Sequence, residues 1–295
     1  MTRNSQYINC INLNAETDFP FLILRAEKEI QIPMNQGFHV MHWHEDLQFL
    51  LCFQGDVTVR TLHNDLKIGK NEGVFINKNT IHYVEGTDSS AYSSILFPEY
   101  FVSFYPGGPA GRLTQKITGN NALPLVHLKP DCPWQKEVLD KVNDLLLLDP
   151  KEADSREHYC YQVLSKLSSL WLVLLQHLTP PKQTVETPRD IRIRTFLQYI
   201  ETHYGEDIDL QSLSESAGVS PSETLRCFKS ALGISPYKYL MDFRLTKALE
   251  LLQKTNLSIG SVASMTGFHQ QSYFGKCFRE RMNCSPSEYR KQQVK

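Results

Sequence analysis

Thr266 to Lys291 reads TGFHQQSYFGKCFRERMNCSPSEYRK, and Ala217 to Leu240 reads AGVSPSETLRCFKSALGISPYKYL. The two stretches align as Gly218 with Gly267, Phe228 with Phe278, Ser235-Pro236 with Ser285-Pro286 and Tyr239 with Tyr289, the offset moving from 49 to 50 within the second turn. One inserted residue separates two copies of a single unit. Two copies are too few for a solenoid, which needs at least about three units to build a continuous core, so the duplication points to two copies of a binding element.

In the first copy Leu210, Leu213 and Ala217 recur at helical spacing and Gly218 ends the run. Ser220-Pro221-Ser222-Glu223 then opens a second helix: Ser220 caps it, Pro221 suits its first position, and Glu223 is expected to complete a capping box. The second copy repeats this with Ile259, Val262 and Ala263, then Gly267, then a helix through Gln270 to Met282. Ser214 and Ala263, each four before its turn glycine, are small enough for the two helices to cross closely, and each turn glycine is expected in a left-handed conformation. The periodicity turns Leu225, Phe228 and Leu232, or Phe274 and Phe278, inward. It leaves Ser222, Arg226 and Lys229, or Gln271, Ser272, Lys276 and Arg279, outward. Arg and Lys bond guanine edges or phosphates, Gln bonds adenine, and Ser bonds either, so these rows suit DNA. A single such helix is commonly an ordinary bundle helix with a solvated face; two in tandem with matched turns favour the DNA reading.

Between the copies, Ser235 caps and Pro236 opens a helix, SPYKYLMDFRLTKALELLQKT, whose Leu240, Phe243, Leu245, Ala248, Leu251 and Leu252 pack on both units. Some 19 residues at about 1.5 Å each make a rod of about 28 Å, close to the roughly 34 Å between successive major grooves on one face of DNA. At these residues the sequence resembles the AraC/XylS family of bacterial transcription regulators, over roughly Arg192 to Lys291, about a third of the chain. The resemblance is carried by LxxLxxxxGVS, LxxxFKxxLGxSPxxYL, the linker helix with Arg244, Leu245, Ala248, Leu251 and Leu252, SIxxVAxxxGFxxQSYFxxxF, and SPSEYR. It implies that Ser222, Leu225 and Arg226 in the first unit, and Gln271, Ser272 and Lys276 in the second, occupy base- or backbone-contacting positions. The chain departs from the family at Thr224, where an apolar residue is usual, and at Gly275, which leaves a bare surface on the second reading helix.

The whole chain has 295 residues, 41% hydrophobic and 21% charged, enough for two cores. Its most apolar run, Leu170 to Leu175, is far short of the roughly 20 residues that span a bilayer, and no basic-then-apolar leader opens it, so a cytoplasmic protein is expected. Seven cysteines without a CxxC pair argue against a disulfide framework or zinc finger. The net charge of −1 hides an asymmetry across the linker TPPKQTVETP, Thr179 to Pro188. From Arg189 onward 15 Lys/Arg stand against 11 Asp/Glu, a balance of +4; the remainder holds 16 against 21, a balance of −5. The basic half carries the duplication, the sign a phosphate-facing surface requires.

In the acidic half, Gly37 to Tyr83 alternates apolar and polar residues with turn signals at Gln54-Gly55-Asp56 and Lys70-Asn71-Glu72-Gly73, which predicts short antiparallel strands in a barrel or sandwich. MHWHEDLQFLLCFQGDV and GKNEGVFINKNTIHYVEG resemble the two motifs of the cupin family, with His42, His44 and Gln48 in the first and His82 in the second. Metal-binding cupins usually carry Glu where Gln48 stands, and Asn77 and Asn79 replace the usual Pro and Gly. Three histidines could hold a divalent metal, serve a polar effector, or satisfy one another. With no anionic oxygen at Gln48, no stoichiometric metal and no cofactor are expected, and His42, His44, Gln48, His82 and Tyr83 are read as an effector site. Two helices follow, Trp134 to Leu148 and about Ser155 to Leu178. Leu164, Leu167, Trp171, Leu174 and Leu178 are spaced 3, 4, 3, 4 along the second, a heptad seam read as pairing two subunits. Pro98 to Leu125, with PGGPAG, reads as an irregular excursion.

The expected fold is multidomain α+β, a cupin-like β-barrel with two following helices and an all-α double helix-turn-helix domain. The expected divisions are a barrel at 1–130, a helical dimerisation segment at 131–178, a linker at 179–188 and a DNA-binding domain at 189–295, with units at about 210–232 and 259–282. The expected function is a homodimeric, sequence-specific transcription regulator, with double-stranded DNA as partner, a sugar or related metabolite as effector, RNA polymerase as a further candidate partner, and no catalysis. The rivals are a metal-dependent cupin enzyme with a DNA-binding tail and a regulator controlled by a protein partner.

Overall fold

The computed structural model describes residues 18–27, 30–32, 41–105, 107–148, 158–182, 187–282 and 284–293. Cys10, the expected helix start at Ser155 and the middle of the expected linker, 183–186, lie outside them. Among the described residues the chain divides into two compact units, one of them taking Thr187 onward together with Met41. No helix among the described residues is long and apolar enough to cross a membrane.

The first unit holds β1 (Leu22–Glu27), β2 (Ile30–Ile32), β3 (Leu47–Gln54), β4 (Val57–Thr61), β5 (Asp65–Ile68), β6 (Gly73–Ile76), β7 (His82–Gly86), β8 (Ala91–Phe97) and β9 (Leu125–Leu128). The strands form one sheet of order β2-β1-β8-β3-β6-β9 and another of order β5-β4-β7, with antiparallel pairing throughout. The turns signalled at Gly55 and Asn71 separate β3 from β4 and β5 from β6. Among the described residues the two sheets are open: no strand of one pairs with a strand of the other. The chain crosses between sheets at Gly55 instead of curling one sheet onto itself, so a hydrogen-bonded closed barrel is not what forms.

The central strand β3 does not alternate apolar and polar as expected; Leu47 to Cys52 are all buried. Both faces of its sheet are covered, which removes the need for a wet side. Leu47, Phe49 and Leu51, with Phe75, Ile95 and Phe97, point to one face and pack against α3 (Pro133–Leu146) and α4 (Tyr159–His177). Gln48, Leu50, Ser94 and Leu96 point to the other.

This layering corrects the reading of the heptad seam. Leu167, Trp171 and Leu174 are buried within the unit's own core, Trp171 meeting Phe75 edge-on at 5.8 Å between ring centroids. The sheet face needs an apolar cover, and each Leu or Trp buried there contributes roughly 1.5–3 kcal/mol; α4 is that cover, leaving Tyr161 and Leu172 on its exposed side. The excursion from Pro98 to Leu125 is also more regular than expected. It contains α1 (Tyr100–Ser103) and α2 (Pro109–Thr118), the latter opened by Pro109 at its first turn. The Trp171 Nε1–H donates to Thr114 Oγ1 of α2 at 3.0 Å, and Asn77 Nδ2 donates to Ile117 and Leu123 carbonyls at 2.9 and 3.1 Å, fixing the excursion to the core.

The second unit is all helix: α5 (Pro188–His203), α6 (Leu210–Ser216), α7 (Pro221–Leu232), α8 (Pro236–Lys254), α9 (Ile259–Met265), α10 (Gln271–Met282) and α11 (Pro286–Gln293). Side-chain caps start most of them. Thr187, Asp209, Ser220, Ser235 and Ser258 each accept from the backbone N–H three residues on, each worth about 1 kcal/mol. At α11 the cap is reciprocal, with Ser285 Oγ accepting from Glu288 N–H and Glu288 accepting from Ser285 N–H. Pro at the first turn of α5, α7 and α8 needs no donor there.

Candidate DNA interface and a buried histidine cluster

The helix-turn-helix units are α6–α7 and α9–α10, joined by α8. Their turn glycines, Gly218 and Gly267, have φ of 63° and 78°, the left-handed conformation the sequence required. Phe228 of α7 and Phe274 and Phe278 of α10 are fully buried, while Ser222, Arg226, Lys229, Gln271, Ser272, Lys276 and Arg279 are all exposed. Leu225 corrects its inward reading. It is 45% exposed, because α7 already buries Thr224, Cys227 and Phe228 and Leu225 falls one position round toward the polar row. Leu232 is half-buried.

The two units differ in their interiors. Thr224 is buried and donates to Ser214 Oγ at 2.9 Å, while Ser214 donates to the Leu210 carbonyl at 2.6 Å. The corresponding pair in the second unit is Phe274 and Ala263, both apolar and buried. Thr224 is therefore matched to Ser214. The expected capping box at α7 is only half made: Glu223 N–H bonds Ser220 Oγ, but the Glu223 carboxylate pairs with Arg192 at 2.8 Å and with Arg226. Arg226 is thus pre-oriented by an anion, whereas Lys276 lies 3.9 Å from Glu280.

The turns differ in crowding. A Cβ at Gly218 would meet nothing within 4 Å; at Gly267 it would lie 2.5 Å from the Tyr204 carbonyl oxygen and 2.7 Å from the Arg244 guanidinium. Arg244 of α8 is buried and donates through Nε and an η nitrogen to the carbonyls of Tyr204 and Glu206, each at 2.7 Å. Those carbonyls follow α5, where a cation is favoured. Burial pulls the Arg244 pKa down, opposed by Asp207. Two exposed contacts run beside this clasp: His269 to Asp207 at 2.5 Å, and the hydroxyls of Tyr237 (α8) and Tyr273 (α10) at 3.0 Å. The hydrogen bond with Tyr237 raises the pKa of Tyr273.

In the first unit His42, His44 and His82 are buried with ring centroids 4.5, 5.1 and 6.0 Å apart. His42 and His82 also form an isolated antiparallel bridge, N–H to carbonyl at 3.0 and 2.8 Å. Trp43, between the two motif histidines, is buried. His44 Nδ1 lies 2.8 Å from the Asp46 carbonyl and His82 Nδ1 lies 2.9 Å from the Thr80 carbonyl. A carbonyl only accepts, so both Nδ1 atoms carry the proton and each neutral ring has a lone pair at Nε2. Gln48 approaches His44 Nε2 at 3.1 Å and Ser94 Oγ at 3.0 Å. The lone pair requires the amide N–H on the His44 side, with the amide oxygen accepting from Ser94. His82 Nε2 is buried with no hydrogen-bond partner. Burial, then the neighbouring His42 and His44, holds the His82 pKa well below the ordinary histidine value. Burial also lowers His44, opposed by Asp46.

Of the five residues read as an effector site, four come together. Tyr83 follows His82 on β7, so alternation directs it to the opposite face, half-buried across from Arg60. Ser94 joins the cluster from 46 residues away, and nothing local in the sequence marks it. The Asn residues at the motif positions have their own reasons: Asn79 takes φ of 59° and Asn77 holds the excursion.

A helix-turn-helix domain family model matches residues 213–292. An uncharacterized HTH-type transcriptional regulator, YdeC of Bacillus subtilis, is 27% identical over 261 residues, covering 86% of this chain and 87% of that protein. The HTH-type transcriptional activator RhaS of Klebsiella pneumoniae is 25% identical over 253 residues, 84% of this chain and 86% of that protein. The arabinose operon regulatory protein of Escherichia coli is 32% identical over 131 residues, 44% of this chain and 45% of that protein. A solved structure of the C-terminal domain of AraT, a response regulator from Geobacillus stearothermophilus, is 39% identical and covers 35% of this chain and 84% of that one, with a TM-score of 0.33. In its helix-turn-helix domain the chain is similar to AraC-type transcriptional regulators. It is a DNA-binding transcriptional regulator.

Proposed function

We propose that one copy of this chain reads two successive major grooves, with Ser222, Leu225, Arg226 and Lys229 in one and Gln271, Ser272, Lys276 and Arg279 in the next. The observation that carries this is the pair of exposed polar rows on α7 and α10, joined by α8, whose 19 residues span about 28 Å. Arg226 and Lys229 supply bidentate and phosphate contacts, Gln271 matches an adenine edge, and Leu225 suits a thymine methyl.

The first unit, in this reading, is a cupin-like sensory module occupying roughly 1–130 with its helices at 131–178. It binds a small effector, a sugar or related metabolite among the candidates, at His42, His44, Gln48 and His82. The arabinose operon regulatory protein's name supports a metabolite-responsive role, and a dimer of such chains acting with RNA polymerase in the cytoplasm completes it. With the seam of α4 buried, the dimer contact falls on other residues of the unit.

Footprinting of the full chain on selected genomic fragments tests the reading. Two protected half-sites centred about one helical turn apart are expected for each chain. Inserting five base pairs between them should abolish the joint footprint, because a helical linker cannot follow a half-turn rotation. Equal binding to both spacings refutes simultaneous reading.

A further inference from the structure

The outward row of α7 is braced from outside its own helix-turn-helix. The Arg226 side chain is 78% exposed, and a free guanidinium there samples many rotamers that a bidentate contact to a base must freeze out. Glu223, three residues back on the same helix, accepts from Arg226 through Oε2. Its other oxygen, Oε1, accepts from Arg192 Nη1 of α5 at 2.8 Å and from the buried Cys227 Sγ at 3.6 Å. The carboxylate is held at 20% exposure, with one arginine on each oxygen. Charge matters here as well as geometry. Glu223 and Arg226 alone would be a neutral pair; two arginines against one glutamate leave the group at +1. In the second helix-turn-helix the aligned residues are Tyr273 and Lys276, and Tyr273 meets the Tyr237 hydroxyl of α8 where Glu223 meets an arginine. The residue three before Lys276 is thus no acid, and its pairing with Glu280, at 3.9 Å, comes from the following turn.

We propose that Arg192 is a positioning residue for DNA recognition: it holds the Glu223 carboxylate, which holds the Arg226 guanidinium in the plane that a guanine edge requires. The proposal deepens the reading of α7 as a base-reading helix and rests on it. Guanine presents two acceptors side by side in the major groove, O6 and N7, and a fixed arginine fork matches both. Adenine puts a donor where guanine has O6, so a fixed fork rejects it, whereas a mobile arginine can turn to a phosphate and discriminate nothing. Glu223 alone cannot fix the fork. Released from Arg192, its carboxylate would be free to turn both oxygens onto Arg226, occupying the donors that guanine needs and cancelling their charge. Arg192 therefore acts on the base without touching it, from a helix that belongs to neither helix-turn-helix.

The test uses the full chain and a duplex that it selects from a random library, with each base pair of the site then substituted in turn. Arg226→Ala marks the base pair that Arg226 reads by erasing the preference there. Arg192→Met keeps the aliphatic stem and removes the charge. It should lower discrimination at that same base pair at least about tenfold and leave the second half-site within about twofold of the wild type. Arg192→Lys, which can restore a single bond to Oε1, should recover most of the loss. Adding Arg192→Met to Arg226→Ala should cost no further discrimination, because the coupling runs through Arg226. Uniform weakening on every sequence, with the salt slope reduced by about one, would make Arg192 a phosphate contact and overturn the proposal. A loss that Arg192→Lys does not recover, or one shared by both half-sites together with a lower unfolding temperature, overturns it in favour of a structural role. If Arg226→Ala leaves every base preference intact, or the wild-type chain selects no sequence, the reading of α7 fails and the proposal with it. If Arg226→Ala erases a preference that Arg192→Met spares, the role of Arg192 alone fails.

Discussion

The two helix-turn-helix units share one layout but are built to different tolerances. The first has open space at its turn glycine, a hydroxyl pair at its helix crossing and an ion-paired arginine on its exposed face. The second has a turn glycine with no room for a Cβ beside a carbonyl and a guanidinium, an apolar pair at its crossing, and a second helix with a bare surface at Gly275. Duplication preserved the turn and the capping logic. What diverged is how each copy is held: the first by its own capping and pairing, the second by the Arg244 clasp that ties α8 to the end of α5.

The sharpest way to break this comparison is at the turns. Gly267→Ala puts a methyl 2.5 Å from a backbone oxygen at a positive φ, and should destabilise the full chain by more than about 3 kcal/mol, combining backbone strain with overpacking. Gly218→Ala, with the same dihedral class and open space, should cost only about 1 kcal/mol. Thermal or urea unfolding of both variants decides it, and equal losses would mean that the clasp adds nothing.

A comparison of reading faces comes next. Arg226→Ala and Lys276→Ala should each weaken specific DNA binding by about 1–3 kcal/mol where the lost contact is to a base, and the losses should map to different half-sites. Arg226 is already oriented by Glu223, so Glu223→Gln should weaken the first half-site and leave the second unchanged. Indifference to Lys276→Ala would reduce the second unit to a structural role.

The interiors offer a smaller effect. Thr224→Val leaves Ser214 without its donor and should cost about 1–2 kcal/mol, while Thr224→Val with Ser214→Ala, which makes the crossing apolar like the second, should recover most of the loss. Calorimetry on single and double variants reads the coupling. The smallest change is a gain: a Cβ at Gly275 meets nothing within 4 Å, so Gly275→Ala should raise stability by about 0.5–1 kcal/mol. A simultaneous fall in DNA affinity would show that the bare surface admits the DNA backbone.

The features legible in the sequence were those with short-range causes. Ser220-Pro221 and Ser235-Pro236 name helix starts by their own chemistry, and Gly218 and Gly267 name their turns. Misreadings arose where distant parts decide. Leu167, Trp171 and Leu174 have heptad spacing, but a sheet face contributed by Phe49, Phe75 and Phe97 claims them. The glycines and prolines of PGGPAG masked α2, whose support is Trp171 from 57 residues later. At the histidine cluster, spacing gave His42 and His44 and the second motif gave His82. Ser94 was invisible, and Tyr83 was excluded only once β7 had a defined inner face. Glu223 looked like half of a capping box because the sequence does not show that Arg192 lies beside it.

The three tryptophans give the molecule an optical asymmetry. All of them, Trp43, Trp134 and Trp171, belong to the first unit, and the helical unit has none. Trp43 is buried between two of the clustered histidines in the chain, Trp171 sits behind the sheet against Phe75, and Trp134 stacks on His177 at 5.8 Å. Indole emission therefore reports on the first unit alone. Because neither reading helix contains an indole, a change in that emission when DNA is added would be a signal that has travelled from one unit to the other.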